Sequence, residues 1–385
     1  MTTTLITFLG RVPRHEGSYR ATRYIFPDGT RTEPVAFFGW PLQDRLGCER
    51  LVILGTPGSM WDHLFEGDLA LGETAERQRL ELIEAVERKS VERAHLASLE
   101  PVLGGHLGIE VSLRLIPYAR DEAEQVELLR VLASAIPKGG RAHIDVTHGF
   151  RHLPMLALLS ALHLRQTKNA LIEGIWYGAF DPDTGSAPVH ELSGLLHIAD
   201  WIEALSTFDK DGDYGVFAER LGTAGEPLRR AAFFERTTNP VKAREALAAW
   251  REPGNLSDPA YDLFREELHR RIAWRKGTNR ADWERDLARA YLERGDYLRA
   301  ALYAVEGCIS HAVRRAGGDM NQWEAREQAR KQLLEQNTAG FRTLNHLRNA
   351  MAHGVCPKDK KILRAIGEEA NLRSTLKSLF TQLFD

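Results

Sequence analysis

The chain has 385 residues, 43% hydrophobic and 27% charged, which gives it material for roughly two or three cores and an ordinary globular composition. A formal net charge of -2 excludes a surface broadly coated in nucleic acid, so any such contact must be local. Its cysteines, Cys48, Cys308 and Cys356, are far apart and form no Cys-x-x-Cys pair, which excludes a zinc ribbon or disulfide framework and fits a reducing compartment.

The opening MTTTLITFLGR has too short an apolar run for a signal peptide, and no stretch approaches the length that crosses a bilayer. The expected location is therefore the cytoplasm, with no membrane partner. Residues 3–9 (TTLITFL) are β-branched and aromatic and end at Gly10, which predicts a buried strand. Residues 19–26, a PDGT turn and residues 31–38 predict a hairpin. Residues 49–54 (ERLVIL) predict a strand that ends in the loop GTPGS. Leucines at helical spacing predict a long helix from about 73 to 100. Residues 109–116 read as a strand, and DEAEQVELLRVLASAI reads as an amphipathic helix closed by Pro137. RAHIDVTHGFRHLPMLALLSALHL then reads as strand, polar loop and apolar helix, and residues 171–178 as a further strand.

Strands alternating with helices predict a largely parallel sheet wound with helices. From about His197 onward only helical periodicity remains. The expected fold class is α/β plus all-α: a Rossmann-like domain over 1–195, a helical connector or insertion over 196–285, and a helical domain over 286–385.

Ligands in open α/β sheets sit beyond the carboxyl ends of the strands. Those ends carry Gly10 and Arg11, then Thr56, Pro57, Gly58 and Ser59, then Asp145, Thr147, His148, Gly149, Phe150 and Arg151. Glycines let backbone N–H groups approach a phosphate, hydroxyls and a helix start complete an anion site, and Arg11 and Arg151 can neutralise charge. Each loop is also an ordinary connector with ordinary N-caps; three of them at strand ends favour a nucleotide-like ligand. His143, His148 and His152 would point in different directions on a strand–loop–helix segment, so no metal site is expected there.

A second pattern lies at residues 341–354, FRTLNHLRNAMAHG. Leu344, Leu347 and Met351 give an apolar face, and Asn349 and His353, four apart, share another. Arg348 and His353 are five apart, about 140° around an ideal helix, so they converge on one phosphate only near a helix end or with a second subunit. Gly354 and Pro357 end the helix there. Arg348, Asn349 and His353 suit cleavage of RNA without a metal: a histidine near neutrality moves the proton, the arginine stabilises the phosphorane and the asparagine orients. A surface arginine and a histidine at a helix C-terminus are the structural alternative. Trp201, Trp250, Trp274, Trp283 and Trp323 read mostly as core, with room for one to stack a base.

Asp145-Val146-Thr147-His148-Gly149, followed by Phe150-Arg151, resembles the DxTHG motif of CRISPR-associated proteins with a CARF domain, and the strand ends Leu9-Gly10 and Leu54-Gly55-Thr56 are similar to that family too. Arg348-Asn349-x-x-x-His353 resembles the Arg-x4-His motif of HEPN ribonucleases. GDYLRAALYAVEGCISHAV, about forty residues earlier, looks like the first HEPN helix, with Glu306 as its buried polar residue. That order of domains is the architecture of the type III CRISPR ancillary ribonucleases; residues 200–285 match nothing in it. The resemblance implies a CARF domain that binds cyclic oligoadenylate across a two-fold axis, cyclic tetra-adenylate ahead of cyclic hexa-adenylate. It also implies a homodimer or higher homo-oligomer whose paired HEPN motifs form a composite site cutting single-stranded RNA, with no cofactor for catalysis. The expected function is a cyclic oligoadenylate-activated endoribonuclease of antiviral defence. The alternatives are a non-catalytic sensor or adaptor whose helical domain binds RNA or a protein, and a CARF domain that itself degrades its ligand.

Overall fold

The computed structural model describes residues 2–15, 18–69, 71, 74–149, 152–252, 259–336, 339–354 and 358–384. The chain divides into two units, Met1–Leu196 and His197–Asp385.

The first unit holds the strands β1 (Thr3–Leu9), β2 (Arg14–His15), β3 (Ser18–Tyr19), β4 (Arg23–Ile25), β5 (Arg50–Gly55), β6 (Glu110–Leu115), β7 (Arg141–Asp145), β8 (Leu171–Gly178) and β9 (Ser186–Glu191). Apart from the small β2–β3 pair, they form one sheet in the order β4-β9-β8-β7-β1-β5-β6. The five strands from β8 to β6 run parallel; β9 is antiparallel to β8, and β4 is parallel to β9.

The period-2 alternation of a strand sorts its side chains onto two faces. Leu5, Leu9, Leu51 and Ile53 join one core with Leu82, Leu96 and Leu103, while Ile6, Phe8, Val52 and Leu54 join a second with Leu128, Leu132, Leu156 and Leu164. Helices cover both faces, which is why the centres of β1 and β5, LITFL and LVIL, read as largely apolar rather than alternating.

Two local expectations change, and two elements appear that the sequence did not announce. The long helix over 73–100 is three: Glu76–Glu87, Arg93–Ala97 and Glu100–Leu107. The first ends because Lys89 takes a left-handed φ of 53°, and Ser90 N–H donates back to Ala85 O at 2.9 Å. The expected hairpin over 19–38 survives only as the bridges Thr22–Val35 and Ile25–Arg31. Pro34 has no N–H to extend it, and β4 pairs with β9 instead. Strand β9 was hidden by Pro188 within a short, half-polar run, and helix Gly39–Leu46 by a Gly-Trp-Pro start that reads as loop.

In the second unit every named element is helical, and its core is continuous. Trp201, Phe208, Phe217 and Leu268 from the expected connector pack in the same core as Tyr291, Tyr303, Leu344 and Leu376. Polar ties repeat the link: Tyr291 Oη donates to Glu235 Oε1 at 2.8 Å, and Tyr303 Oη donates to Glu235 O. Residues 196–285 are thus no separate segment. Their amphipathic helices hold apolar faces that need cover, and the helices beyond residue 285 supply it.

Among the described residues, no helix is long and apolar enough to cross a membrane. Cys48 and Cys308 are buried free thiols, pushed by burial to about 11 and about 12; Cys356 lies outside the described residues.

Candidate functional site

Among the five parallel strands from β8 to β6, the chain goes from β1 to β5 and β6 on one side, then to β7 and β8 on the other; β4, between β1 and β5 in sequence, lies at the far edge beside β9. The switch point therefore lies between β1 and β7, where open α/β sheets place their ligands. Gly10 follows β1 and Gly149 lies in the loop after β7. A Cβ added at Gly10 would stand 2.4 Å from Gly149 N, and Gly149 itself has φ 121°. The two loops meet backbone to backbone, and a side chain on Gly10 would part them.

A cavity of about 280 Å³ opens at this end of the sheet. Glycines 10, 58 and 149 bring backbone to its wall, with the hydroxyl residues Thr56, Ser59 and Tyr118. Leu9, Ile116 and Leu153 give it an apolar part. Its charged lining residues are Arg11 and Lys89; no carboxylate lines it. Among the described residues neither cation has a carboxylate partner. A cation-lined, carboxylate-free hollow with hydroxyls and close backbone suits an anion carrying an apolar part.

Local bonds fix this wall. Thr56 N–H donates to Ser59 Oγ at 2.9 Å, and Ser59 N–H donates back to Thr56 O at 3.0 Å. Trp61 Nε1 donates to Thr56 O at 2.9 Å, and Met60 N–H reaches Gly10 O at 2.9 Å, tying the β5 loop to the β1 loop. Pro57 is not a lining residue; its carbonyl accepts from Val91 N–H at 3.4 Å, beside the turn that presents Lys89.

The motif residues of the β7 loop face inward. Asp145 has 0% exposure; it accepts from Thr7 Oγ1 at 2.6 Å and from Thr147 N–H at 2.9 Å. Burial raises its carboxyl to about 6, against the opposing pull of those bonds. Thr147 Oγ1 accepts from Gly178 N–H at 2.8 Å. His148 Nε2 accepts from Phe38 N–H at 3.0 Å, which places the ring proton on Nδ1, and burial lowers its pKa to about 4. These three brace the loop from behind while Gly149 reaches the cavity. Phe150 and Arg151 lie outside the described residues. His143 meets Trp176 Nε1 at 3.3 Å and His152 meets Tyr118 O at 3.1 Å, so the three histidines have separate partners. Among the described residues no group of His, Cys, Asp and Glu is arranged to hold a metal ion.

Sequence reasoning missed Lys89 and Tyr118. Neither carries a motif, and only the helix break at residue 89 and the path after β6 bring them to the β5 loop. The positive φ of Lys89 left no signal, since lysine is not a residue that marks a left-handed turn.

In the second unit the expected motif lies on the helix Ala339–His353, anchored by Phe341, Leu344, Leu347 and Ala350. Gly354 follows with φ 61°, a left-handed helix stop. Arg348 is half-buried: its Nη2 donates to Asn345 Oδ1 at 3.1 Å, and its Nε is buried without a hydrogen-bond partner. Burial lowers its pKa, the Arg330 charge adds to that, and Glu306 opposes it. Asn349 is half-buried and His353 exposed at the helix end. Asn345, which positions Arg348 from one turn earlier, is a supporting residue the motif did not name.

Glu306 is not the buried polar residue expected on helix Tyr297–Arg315. Its side chain is 39% exposed and pairs with Arg326 at 2.5 Å. A fully buried carboxylate, Glu284, lies one helix earlier, held by Arg280 Nε at 2.7 Å and Ser310 Oγ at 2.5 Å. The Glu284 carboxylate persists in that core because both its oxygens are hydrogen-bonded.

No protein-family model matches the chain. Over 225 residues it is 25% identical to CRISPR-associated protein MJ1674 of Methanocaldococcus jannaschii, a match covering 54% of this chain. The chain spans 36% of that relative's length. The similarity relates the chain distantly to a CRISPR-associated protein.

Proposed function

We propose that the protein is a homodimeric endoribonuclease of CRISPR-based antiviral defence that cuts single-stranded RNA without a metal, switched on by cyclic oligoadenylate. The first unit is the CARF-type sensor and the second the HEPN-type nuclease. Arg348 carries the reading: a half-buried guanidinium with no carboxylate partner among the described residues and an unpaired Nε, one turn before an exposed histidine. A cation kept so is suited to a phosphate.

In this mechanism the ribose 2′-oxygen attacks the adjacent phosphorus as a His353 imidazole takes its proton. Arg348 stabilises the charge that builds on the phosphorane, and a protonated His353 gives its proton to the departing 5′-oxygen. The products are a 2′,3′-cyclic phosphate and a free 5′-hydroxyl. One histidine cannot be base and acid at once, so two copies of the motif, one from each protomer, divide the roles.

The cavity at the strand ends supports the sensing half. Its volume, about 280 Å³, is near the lower limit of ligand pockets, which suits one nucleotide rather than a whole ring. A cyclic oligoadenylate would be shared between two chains. The ligand activates only by binding the aligned nuclease pair better than the misaligned one.

The test is cleavage of a fluorescent single-stranded RNA with metal chelated, without activator and with cyclic oligoadenylates of about three to six units. Cutting that appears with one ring size is the expected result. Equal cutting under all conditions removes the sensor, and no cutting under any condition removes the nuclease in favour of an RNA- or protein-binding adaptor.

A further inference from the structure

The helix Trp323–Glu335 carries charges that the mechanism above does not use. Arg326 on it is paired with Glu306, and Arg280 with Glu284. That leaves Arg330 and Arg348, on neighbouring helices, as excess positive charge in one place. Among the described residues neither has a carboxylate ion-pair partner, and the helices that carry them, Trp323–Glu335 and Ala339–His353, pack against each other; the Arg330 charge accordingly disfavours the protonated form of Arg348, against the pull of Glu306. Glu306, already ion-paired with Arg326, offsets this charge only in part, and an arriving anion would pair with both arginines.

The same helix holds Trp323, 74% exposed and, among the described residues, without a ring or cation partner. A lone exposed tryptophan means little. This one lies in register with the arginines. At about 100° per residue, Trp323, Arg326 and Arg330 fall within roughly 60° of the helix circumference, and Trp323 stands about 10 Å along the axis from Arg330. A single-stranded nucleic acid needs that combination of cation for backbone and aromatic face for base.

We propose that the Trp323–Glu335 helix is the RNA-binding rail of the nuclease unit, with Arg330 sharing a phosphate with Arg348 and Trp323 stacking a base of a neighbouring nucleotide. This inference rests on the ribonuclease reading for its choice of RNA, and its test does not depend on cleavage.

Binding of a short fluorescent single-stranded RNA is measured by anisotropy on the full chain carrying His353→Ala, at several salt concentrations. Added Arg330→Gln is expected to weaken binding about tenfold and to lower the salt slope by roughly one counterion. Arg330→Lys, which keeps the charge, should recover most of the affinity. Trp323→Ala is expected to weaken binding about tenfold with the salt slope unchanged, and Trp323→Phe to restore it within about twofold. Circular dichroism and sedimentation confirm fold and oligomeric state. Undiminished affinity in both Arg330→Gln and Trp323→Ala overturns the rail, as does a Trp323→Ala protein that loses its dimer while binding RNA normally, since Trp323 would then face a second copy. Cleavage that persists in His353→Ala removes the nuclease assignment and leaves the rail standing or falling on binding alone. A parent chain that binds no RNA removes both.

Discussion

The two motifs of this protein treat their polar side chains in opposite ways. Asp145, Thr147 and His148 are turned inward and each hydrogen-bonded to backbone or a neighbouring hydroxyl. Arg348 and His353 are left with bonding capacity unused or with the ring exposed. The first set shapes a loop so that glycine backbone faces the cavity. The second keeps polar atoms without partners, as the proposed reaction requires. A residue's presence in a motif therefore does not say whether it touches the ligand; the partners of its polar atoms do.

The comparison breaks or sharpens on substitution. The largest effect is expected from His353→Ala, which should reduce RNA cleavage by about 10³-fold, with a change in unfolding free energy of no more than about 0.5 kcal/mol because the ring is exposed. Single-turnover kinetics and denaturant titration on one preparation check both halves. Asp145→Ala should do the reverse, removing about 3 kcal/mol of stability by orphaning Thr7 Oγ1 and Thr147 N–H, with cleavage by the surviving folded protein retained when activator is saturating. If His353→Ala proves the more destabilising of the two, the distinction between bracing and reacting residues fails.

Gly10→Ala comes next. Its methyl group would stand 2.4 Å from Gly149 N, so a loss of about 2 kcal/mol in stability and of ligand affinity is expected, read by thermal shift with and without cyclic oligoadenylate. Unchanged ligand binding would show that the β1 and β7 loops do not have to meet.

The smallest effect is one of pH. Burial raises Asp145 to about 6, so its contribution to stability is present below its unfolded value near 3.8 and is lost as pH rises through about 6. His148, lowered to about 4, works the other way: its contribution is present above its unfolded value near 6.5 and is lost as pH falls through about 4. Between about pH 4 and 6 the two slopes oppose each other. Asp145→Asn keeps an acceptor for Thr147 N–H and can donate its amide N–H to Thr7 Oγ1, reversing that bond, but does not titrate. Its stability should therefore rise more steeply with pH across that window than the parent's, as urea midpoints would record. Parallel curves would mean that Asp145 is not a titrating buried carboxyl.

The sequence by itself determined what is local and periodic. The runs LITFL and LVIL are largely apolar and β-branched over consecutive positions, as a strand covered on both faces reads, and the loss of such runs after His197 marked the change of fold class within a residue or two of the division after Leu196. The helical spacing of Leu344, Leu347 and Met351 put Arg348, Asn349 and His353 on a helix with a defined end. The glycines at the strand ends were legible because backbone proximity admits few other residues. Only the tertiary structure decided which side chains line the cavity, since Lys89 and Tyr118 reach it from segments with no motif, and the DxTHG side chains turn away from it. It also decided that residues 196–285 share the helical core, and that Glu284 is buried while Glu306 is half-exposed. Periodicity tells a helix which face to bury, but which helix covers that face, and whether a carboxylate on it finds an arginine or water, depends on partners far away in the chain.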